Sequence, residues 1–456
     1  MALPQFWQTN FVIIPNLGLD LVFLAFSGFG TVLGGQLTLA AALITSMLSM
    51  IMLTVAAHRR MTPMAAVCAL LLYNRMLLAG VVNYIFGYSV AVMGLAVWIM
   101  MRDTRALYRG AVLCGFMALA ALCHIFGLVV LLLLLAGHEL VLLVQQRFGW
   151  RQIVQSVLVP TAALLPVAWI ILYQTPQDTG RMFIFYRPLI ERLAAFAVPL
   201  TYEPALEAVG FAAILACLAV ALGLRQARAN VALLGSAALL GVVQLVMPNA
   251  IGAGTGADHR LPIVIWMVGF CAIDLRLRQV LLARGMMVAV AIFALWRLDM
   301  INSRWSADNR IYRSALQALD AIPDGAMVAT ACPPDAWDSV TGQAMSLYFL
   351  PAWNVVPRGG FTQTLWTKPS QHPLVMQPGY RALADATGPM KLWAELVGSA
   401  QQNDTMRLSA SEQDAIQRYD FIAFLSPFSF NVRKDEALQP FRKADGIQIF
   451  RVMHRP

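Results

Sequence analysis

The residues best suited to chemistry are few, and most of them stand in or beside apolar stretches. Asn74-Arg75 lies in the middle of the apolar run 63–81. An ionisable side chain at such a depth costs ~2.5–3.5 kcal/mol or more, so it needs either a task or a partner. Facing a water-filled cavity, Arg75 would bind an anion such as a lipid phosphate. Paired to a neighbouring helix, or snorkelling to the interface, it would be structural. Asp20, beside Asn16, is the only acid in the first hundred residues. It could take the proton of a hydroxyl acceptor as a general base, or sit solvated at the interface. His124, in the turn Cys123-His124-Ile125-Phe126-Gly127, could carry a proton or cap a helix end. Asn83-Tyr84 occupies another such turn, where tyrosine is favoured for interfacial reasons alone. Asp258-His259-Arg260 follows the glycine-rich stretch 252–256. Its carboxylate and imidazole could hold a divalent cation or contribute to a phosphate site, although adjacent side chains point apart. Arg181 and Arg187 lie in the longest polar loop, where a guanidinium can meet an anion or remain solvated.

The elements that position these groups are set by an uneven composition. Of 456 residues 59% are hydrophobic and only 12% charged, against about 25% charged in a soluble domain. The deficit is confined to residues 1–298. Residues 1–35 read as a loop carrying a short interfacial helix. Apolar runs then follow at roughly 36–57, 63–81, 84–101, 109–122, 125–145, 152–173, 206–224, 230–247, 261–275 and 279–298. The fold class expected is a polytopic α-helical membrane protein of about ten spans over 36–298, with a soluble α/β domain over 299–456. In that tail 311–322 and 385–400 read as helices, and 326–331, 354–356, 419–425 and 447–452 as strands.

Arginine sets the expected orientation. His58-Arg59-Arg60, Arg102, Arg105, Arg109, Arg147, Arg151, Arg225, Arg228, Arg276 and Arg278 fall in alternate loops, which are therefore cytoplasmic. The opposite loops hold Arg181, Arg187, Arg192 and Arg260 together with most of the acids, Glu203 and Glu207 among them. The N-terminal loop and the tail are thus expected outside the cytoplasm, with Asp20, Asn83, His124, Arg181, Arg187 and Asp258 on one face and Arg75 below it. Because the chain would then begin outside, either ten spans with both ends outside, or a further helix upstream of Met1, is expected. The net charge of +9 does not mark a nucleic-acid binder, because arginines sit in short loops and all four lysines lie in the tail. The absence of CxxC and HExxH argues against a cysteine metal site and a zinc protease.

Five features together resemble the multi-pass bacterial glycosyltransferases of the GT-C superfamily. They are the loop Pro15-Asn16-Leu17-Gly18-Leu19-Asp20-Leu21, Tyr73-Asn74 followed by Gly80 and Asn83-Tyr84, the turn at His124, Arg260-Leu261-Pro262 opening a late span, and a tail with the strand Tyr419-Asp420-Phe421. The resemblance implies a polyprenyl-phosphate sugar donor in the bacterial inner membrane, an inverting displacement, a base on the first outer loop and arginines on the departing phosphate. Asp20 would be that base; Arg75, Arg181, Arg187 and Arg260 would hold the phosphate; and Asn74, Asn83, His124, Asp258 and His259 would complete the polar site, with a divalent cation as a further ligand. The chain departs from the pattern in lacking a helix and an acidic motif before the first outer loop. The competing expectation is a non-catalytic assembly or binding protein of envelope polysaccharide biogenesis. A transporter is disfavoured because neither inverted repeats nor broken helices are evident in the sequence.

Overall fold

A computed structural model describes the chain apart from residues 1–4, 10–11, 148, 175–183, 198, 201, 252–255, 277–279, 334–346, 366, 368–371, 398–413, 427–429, 433–436 and 455–456. The chain divides into a helical unit, Val12–Arg297, and a sheet unit made of Met1–Phe11 with Leu298–Pro456. The short strand β1 (Trp7–Thr9) therefore belongs with the tail rather than with the loop in which it was expected.

The helical unit opens with α1 (Leu17–Phe26) and α2 (Thr31–His58). Small polar residues in α2 are satisfied locally, as apolar surroundings demand. The Thr38, Thr45, Ser49 and Thr54 hydroxyls donate to backbone carbonyls of their own helix, and Ser46 shares a hydrogen bond with the Tyr88 hydroxyl at 2.9 Å. The run 63–81, expected as one span, is instead broken into α3 (Met64–Ala69) and α4 (Arg75–Leu78). The cause is Asn74. Its side-chain oxygen accepts from the Met76 and Leu77 N–H groups, and its amide donates to the Leu71 and Leu72 carbonyls. One side chain thus starts a helix and satisfies the backbone that the break frees.

Next come α5 (Val82–Met100), α6 (Ala106–Cys123) and α7 (Ile125–Gln145), divided at His124 as expected. Then α8 (Trp150–Ile153) passes through a π turn at Val154–Leu158 into α9 (Val159–Gln174). After strand β2 (Ile184–Phe185) and α10 (Leu189–Ala194) follow α11 (Pro204–Gly223), β3 (Ala227–Ala229) and α12 (Val231–Val246). They lead to β4 (Ala250–Ile251), α13 (Leu261–Cys271), β5 (Ile273–Leu275) and α14 (Val280–Leu319). Among the described residues six helices are long and apolar enough to cross a membrane: α2, α5, α6, α7, the segment Trp150–Tyr173 and α11. By composition and length the unit is a membrane protein's helical core. Glycines let its backbones touch: a Cβ on Gly127 would lie 2.7 Å from Gly87, and one on Gly137 would lie 2.6 Å from Ser236, drawing α7 against α5 and α12.

Long-range bonds sort the helix ends into two levels. At one level the Tyr84 hydroxyl donates to the Arg260 carbonyl (2.6 Å), Gln244 donates to the Asp258 carbonyl (2.6 Å), and Arg297 bridges Glu207 and the Tyr73 carbonyl. At the other, His58 meets the Cys271 carbonyl (2.9 Å), Asn230 the Ala57 carbonyl (3.5 Å), and β3 pairs with β5. There Asp274 lies 2.6 Å from both Arg60 and Arg276. Burial alone would raise its pKa, but hydrogen bonds from the two arginines outweigh this and hold it below the usual carboxylate value.

The sheet unit holds β6 (Met327–Ala331), β7 (Phe361–Thr362), β8 (Leu374–Met376), β9 (Phe421–Leu425), β10 (Leu438–Ala444) and β11 (Ile447–Val452). Five of these form a mixed sheet in the order β10-β11-β9-β6-β7, parallel at β9-β6-β7. The alternation along β9 sends Ile422 and Phe424 to one core and Phe421, Ala423 and Leu425 to the other. The strand expected at 354–356 is instead a 3-10 turn, Leu350–Asn354, running into α15 (Val355–Arg358). Pro351 and Pro357 remove ladder donors there, and buried Asn354 donates to the Ala326 carbonyl. The helix expected over 385–400 is divided at Thr387-Gly388 between α16 (Pro378–Ala386) and α17 (Pro389–Leu396), and its last residues lie outside those described.

Candidate functional site

Among the residues expected to form a site, Asp258 and His259 gather with Arg187. Gly256, at φ +68°, turns the chain into one 3-10 turn, Ala257–His259, that ends at the start of α13. The turn carries Asp258 into the interior, where it is fully buried. Its Oδ1 accepts from the Asn249 amide (2.8 Å), and its backbone carbonyl from Gln244. Among the described residues its Oδ2 and the Gln244 Oε1 are buried without a hydrogen-bond partner. Arg187 closes over the turn: its Nε lies 3.8 Å from Asp258 Oδ2, and its Nη1 donates to His259 Nε2 at 3.2 Å. That bond requires a bare Nε2, so the ring proton sits on Nδ1. The pairing of β2 with β4 and the Asn249 N–H to Phe185 carbonyl bond hold Arg187 in place.

Arg260 joins the turn to α13. Its guanidinium stacks 4.7 Å above the Phe126 ring and 5.9 Å from that of Tyr84. Tyr84 in turn meets the His124 ring edge-on at 5.6 Å. His124 caps α7, its Nδ1 accepting the Phe126 N–H at 3.0 Å, so only Nε2 is left for any other role. Asn83 accepts the Tyr84 N–H, a local bond at the start of α5. Asp20 stands half-buried in the first turn of α1, two residues after Gly18, which packs directly on Cys123. Arg75 is half-buried as the first residue of α4, at the capped break and not in mid-helix. Arg181 lies outside the described residues.

The structure thus joins Arg187, Asp258 and His259 within 4 Å, sets Arg260 and His124 around Tyr84, and spends Asn74 on capping. The divalent cation fits poorly here. Asp258 faces a guanidinium, His259 Nε2 is taken, and among the described residues no group of three or more His, Cys, Asp or Glu could hold a metal.

Several polar residues were not anticipated. Glu207, expected in an outer loop, is fully buried on α11 in an ion pair with Arg297 (2.5 Å), and its other oxygen accepts the Tyr202 N–H. At the opposite end of α7, Glu139 accepts from Trp98 (2.8 Å), Ser156 (2.5 Å) and His138 (2.9 Å). Arg109 lies 3.3 Å above the Trp98 ring and donates to the Trp98 carbonyl. With three side chains donating to one carboxylate, this second cluster ties α5, α6, α7 and the π turn together. An ionisable pair inside the run 125–145 was the signal that could have found it. No protein-family model matches this chain, and neither a curated protein nor a solved structure is significantly similar to it.

Proposed function

We propose that the chain is a membrane glycosyltransferase that moves a sugar from a polyprenyl-phosphate donor to a hydroxyl acceptor at the outer face of a bacterial inner membrane. The observation that carries this reading is a fully buried carboxylate, Asp258, with one oxygen held by Asn249, the other without a hydrogen bond among the described residues, Arg187 against it and Arg260 two residues further along the chain. In an inverting displacement the acceptor oxygen attacks the sugar's anomeric carbon as its bond to the phosphate oxygen breaks. Asp258 Oδ2 takes the acceptor's proton, and the electron pair leaves with the polyprenyl phosphate. Arg187 and Arg260 stabilise that anion. Asp258 is favoured over Asp20 as base because its fixed, desolvated oxygen is already short of a donor. The loop arginine bias supports the outward orientation of this face and of the tail.

The test uses the purified full-length protein. Native mass spectrometry should show binding of a polyprenyl phosphate in preference to the matching polyprenol. Arg187→Gln should weaken that binding about tenfold, the loss of one charge-assisted contact of about 1.4 kcal/mol. Asp258→Asn should retain the lipid but stop release of polyprenyl phosphate from a lipid-linked sugar pool. Equal binding of the polyprenol, or full turnover by Asp258→Asn, would defeat the assignment. Phosphate-selective binding with no turnover by the unaltered protein would favour the assembly-protein reading.

A further inference from the structure

Residues 5–9 are built into the core of the tail. β1 pairs antiparallel with β8, Trp7 opposite Met376, Gln8 opposite Val375 and Thr9 opposite Leu374. The Gln377 N–H donates to the Phe6 carbonyl at 3.0 Å. Phe6 and Trp7 are 1% and 2% exposed. Both pack on Phe361, with ring centroids 5.6 and 5.5 Å away, and Phe6 also meets Tyr380 edge-on at 4.9 Å. A strand pair and a shared aromatic cluster form only between segments in one aqueous compartment, since a hydrocarbon layer ~30 Å thick separates the two sides of a bilayer.

We infer that Trp7–Thr9 and the tail sheet lie on the same side of the membrane, and that the helical unit between them crosses it an even number of times. The contacts at the helix ends give the number. His58 and Arg60, after α2, are at the level of Cys271 and Asp274; Tyr84, at the start of α5, is at the level of Arg260. Residues 61–81 must therefore traverse the unit as the broken pair α3–α4, on the way passing Tyr73, whose carbonyl is held by Arg297. α13 traverses from Arg260 to Cys271 in 11 residues, about 16 Å of helix. α12 runs from Asn230, beside Ala57, to Gln244, beside Asp258. α14 runs from the level of Arg276 to that of Glu207. Counted together, α2, α3–α4, α5, α6, α7, α8–α9, α11, α12, α13 and α14 make ten traverses. Non-helical backbone at membrane depth persists only where protein encloses it. Accordingly α3 and α13 pack on each other and are mostly buried, whereas Trp150–Tyr173 and α11 are the least buried of the long helices.

This inference rests on the membrane reading but not on sugar transfer, and its test is independent of any substrate. In the full-length protein carrying Cys114→Ala and Cys217→Ala, which leaves only the buried native cysteines as background, one cysteine at a time is placed at Gln8, Asp445, Asp103, Met61 or Val82 and labelled with a membrane-impermeant maleimide in spheroplasts and in inverted vesicles. Gln8, Asp445 and Val82 should label from one side, and Asp103 and Met61 from the other. Separately, Gln8→Cys with Val375→Cys should form an intramolecular disulfide on mild oxidation. Labelling of Gln8 and Asp445 from opposite sides, or failure of the disulfide in a folded protein, would overturn the shared compartment. Labelling of Met61 and Val82 from the same side would overturn the broken traverse and the count of ten.

Discussion

Removing both partners of the Glu207–Arg297 pair should destabilise the helical unit by clearly less than the two single removals summed. Each side chain is almost wholly enclosed, at 0% and 2% exposure, and the pair is reinforced by the Tyr202 N–H on the carboxylate and the Tyr73 carbonyl on the guanidinium. Arg297→Ala leaves a buried carboxylate with only the Tyr202 N–H, and Glu207→Ala leaves a buried guanidinium on a single carbonyl. Breaking a buried pair from one side costs about 3–5 kcal/mol, most of it the desolvation of the survivor. The double variant removes both charges and escapes that penalty, so it should fall short of the summed single losses by about 2–3 kcal/mol. Unfolding in mixed micelles titrated with SDS, followed by tryptophan fluorescence, measures all four corners of the cycle. Single losses that add to the double within ~0.5 kcal/mol would refute the reasoning, because the two groups would then be independently solvated.

Three further outcomes follow from the same geometry. Asn74→Ala should lower stability by about 1 kcal/mol for the lost cap, and by more if the Leu71 and Leu72 carbonyls find no other donor; Asn74→Asp, which keeps only the acceptor, should fall between, as the same titration would show. Gly137→Leu should force α7 away from α12, reducing the yield of monodisperse protein on size exclusion, and should cost at least the 1–3 kcal/mol typical of overpacking. Asp274→Asn should destabilise at neutral pH by about 1 kcal/mol or less, since both arginines are half-exposed and solvent screens them. Because Asp274's folded pKa is depressed, its contribution is complete above the ordinary carboxylate range and fades as pH falls through the folded value. Melting curves of the variant and the unaltered protein should therefore converge in acid.

What the sequence disclosed was mainly what local pattern encodes. The long apolar runs, the division at His124, and the strands β6, β9 and β11 all follow from hydrophobic periodicity and turn chemistry. The Asp258-His259-Arg260 turn was visible as a charged triplet after glycines, and Arg187 as an arginine on the wrong side for topology. The remainder depends on partners distant in the chain. Glu207 looked like a solvated outer acid because Arg297, the cation that allows it to be buried, lies 90 residues away. Asn249 and Gln244 are ordinary polar residues at the end of an apolar run until the fold delivers Asp258 to them. Asn74-Arg75 looked like a charge in mid-span, yet the local evidence for a break was an amide followed two and three residues later by N–H groups it could cap. The Phe6-Trp7 segment reads as part of a loop until β8 supplies its edge.

The glycine contacts along α7 bear on how this protein can move. Where backbones touch as closely as at Gly127 on Gly87 and at Gly137 on Ser236, one helix cannot slide past its neighbour by a turn without a collision. α5, α7 and α12 therefore form a rigid keel, further pinned by the Ser236 hydroxyl on the Leu134 carbonyl at 2.7 Å. Rocking of one half of the bundle against the other, the motion on which alternating access depends, would have to tear this keel apart. Among the long helices the segment Trp150–Tyr173, which holds α9, and α11 are the least enclosed, so any displacement of helices that spares the keel falls to them.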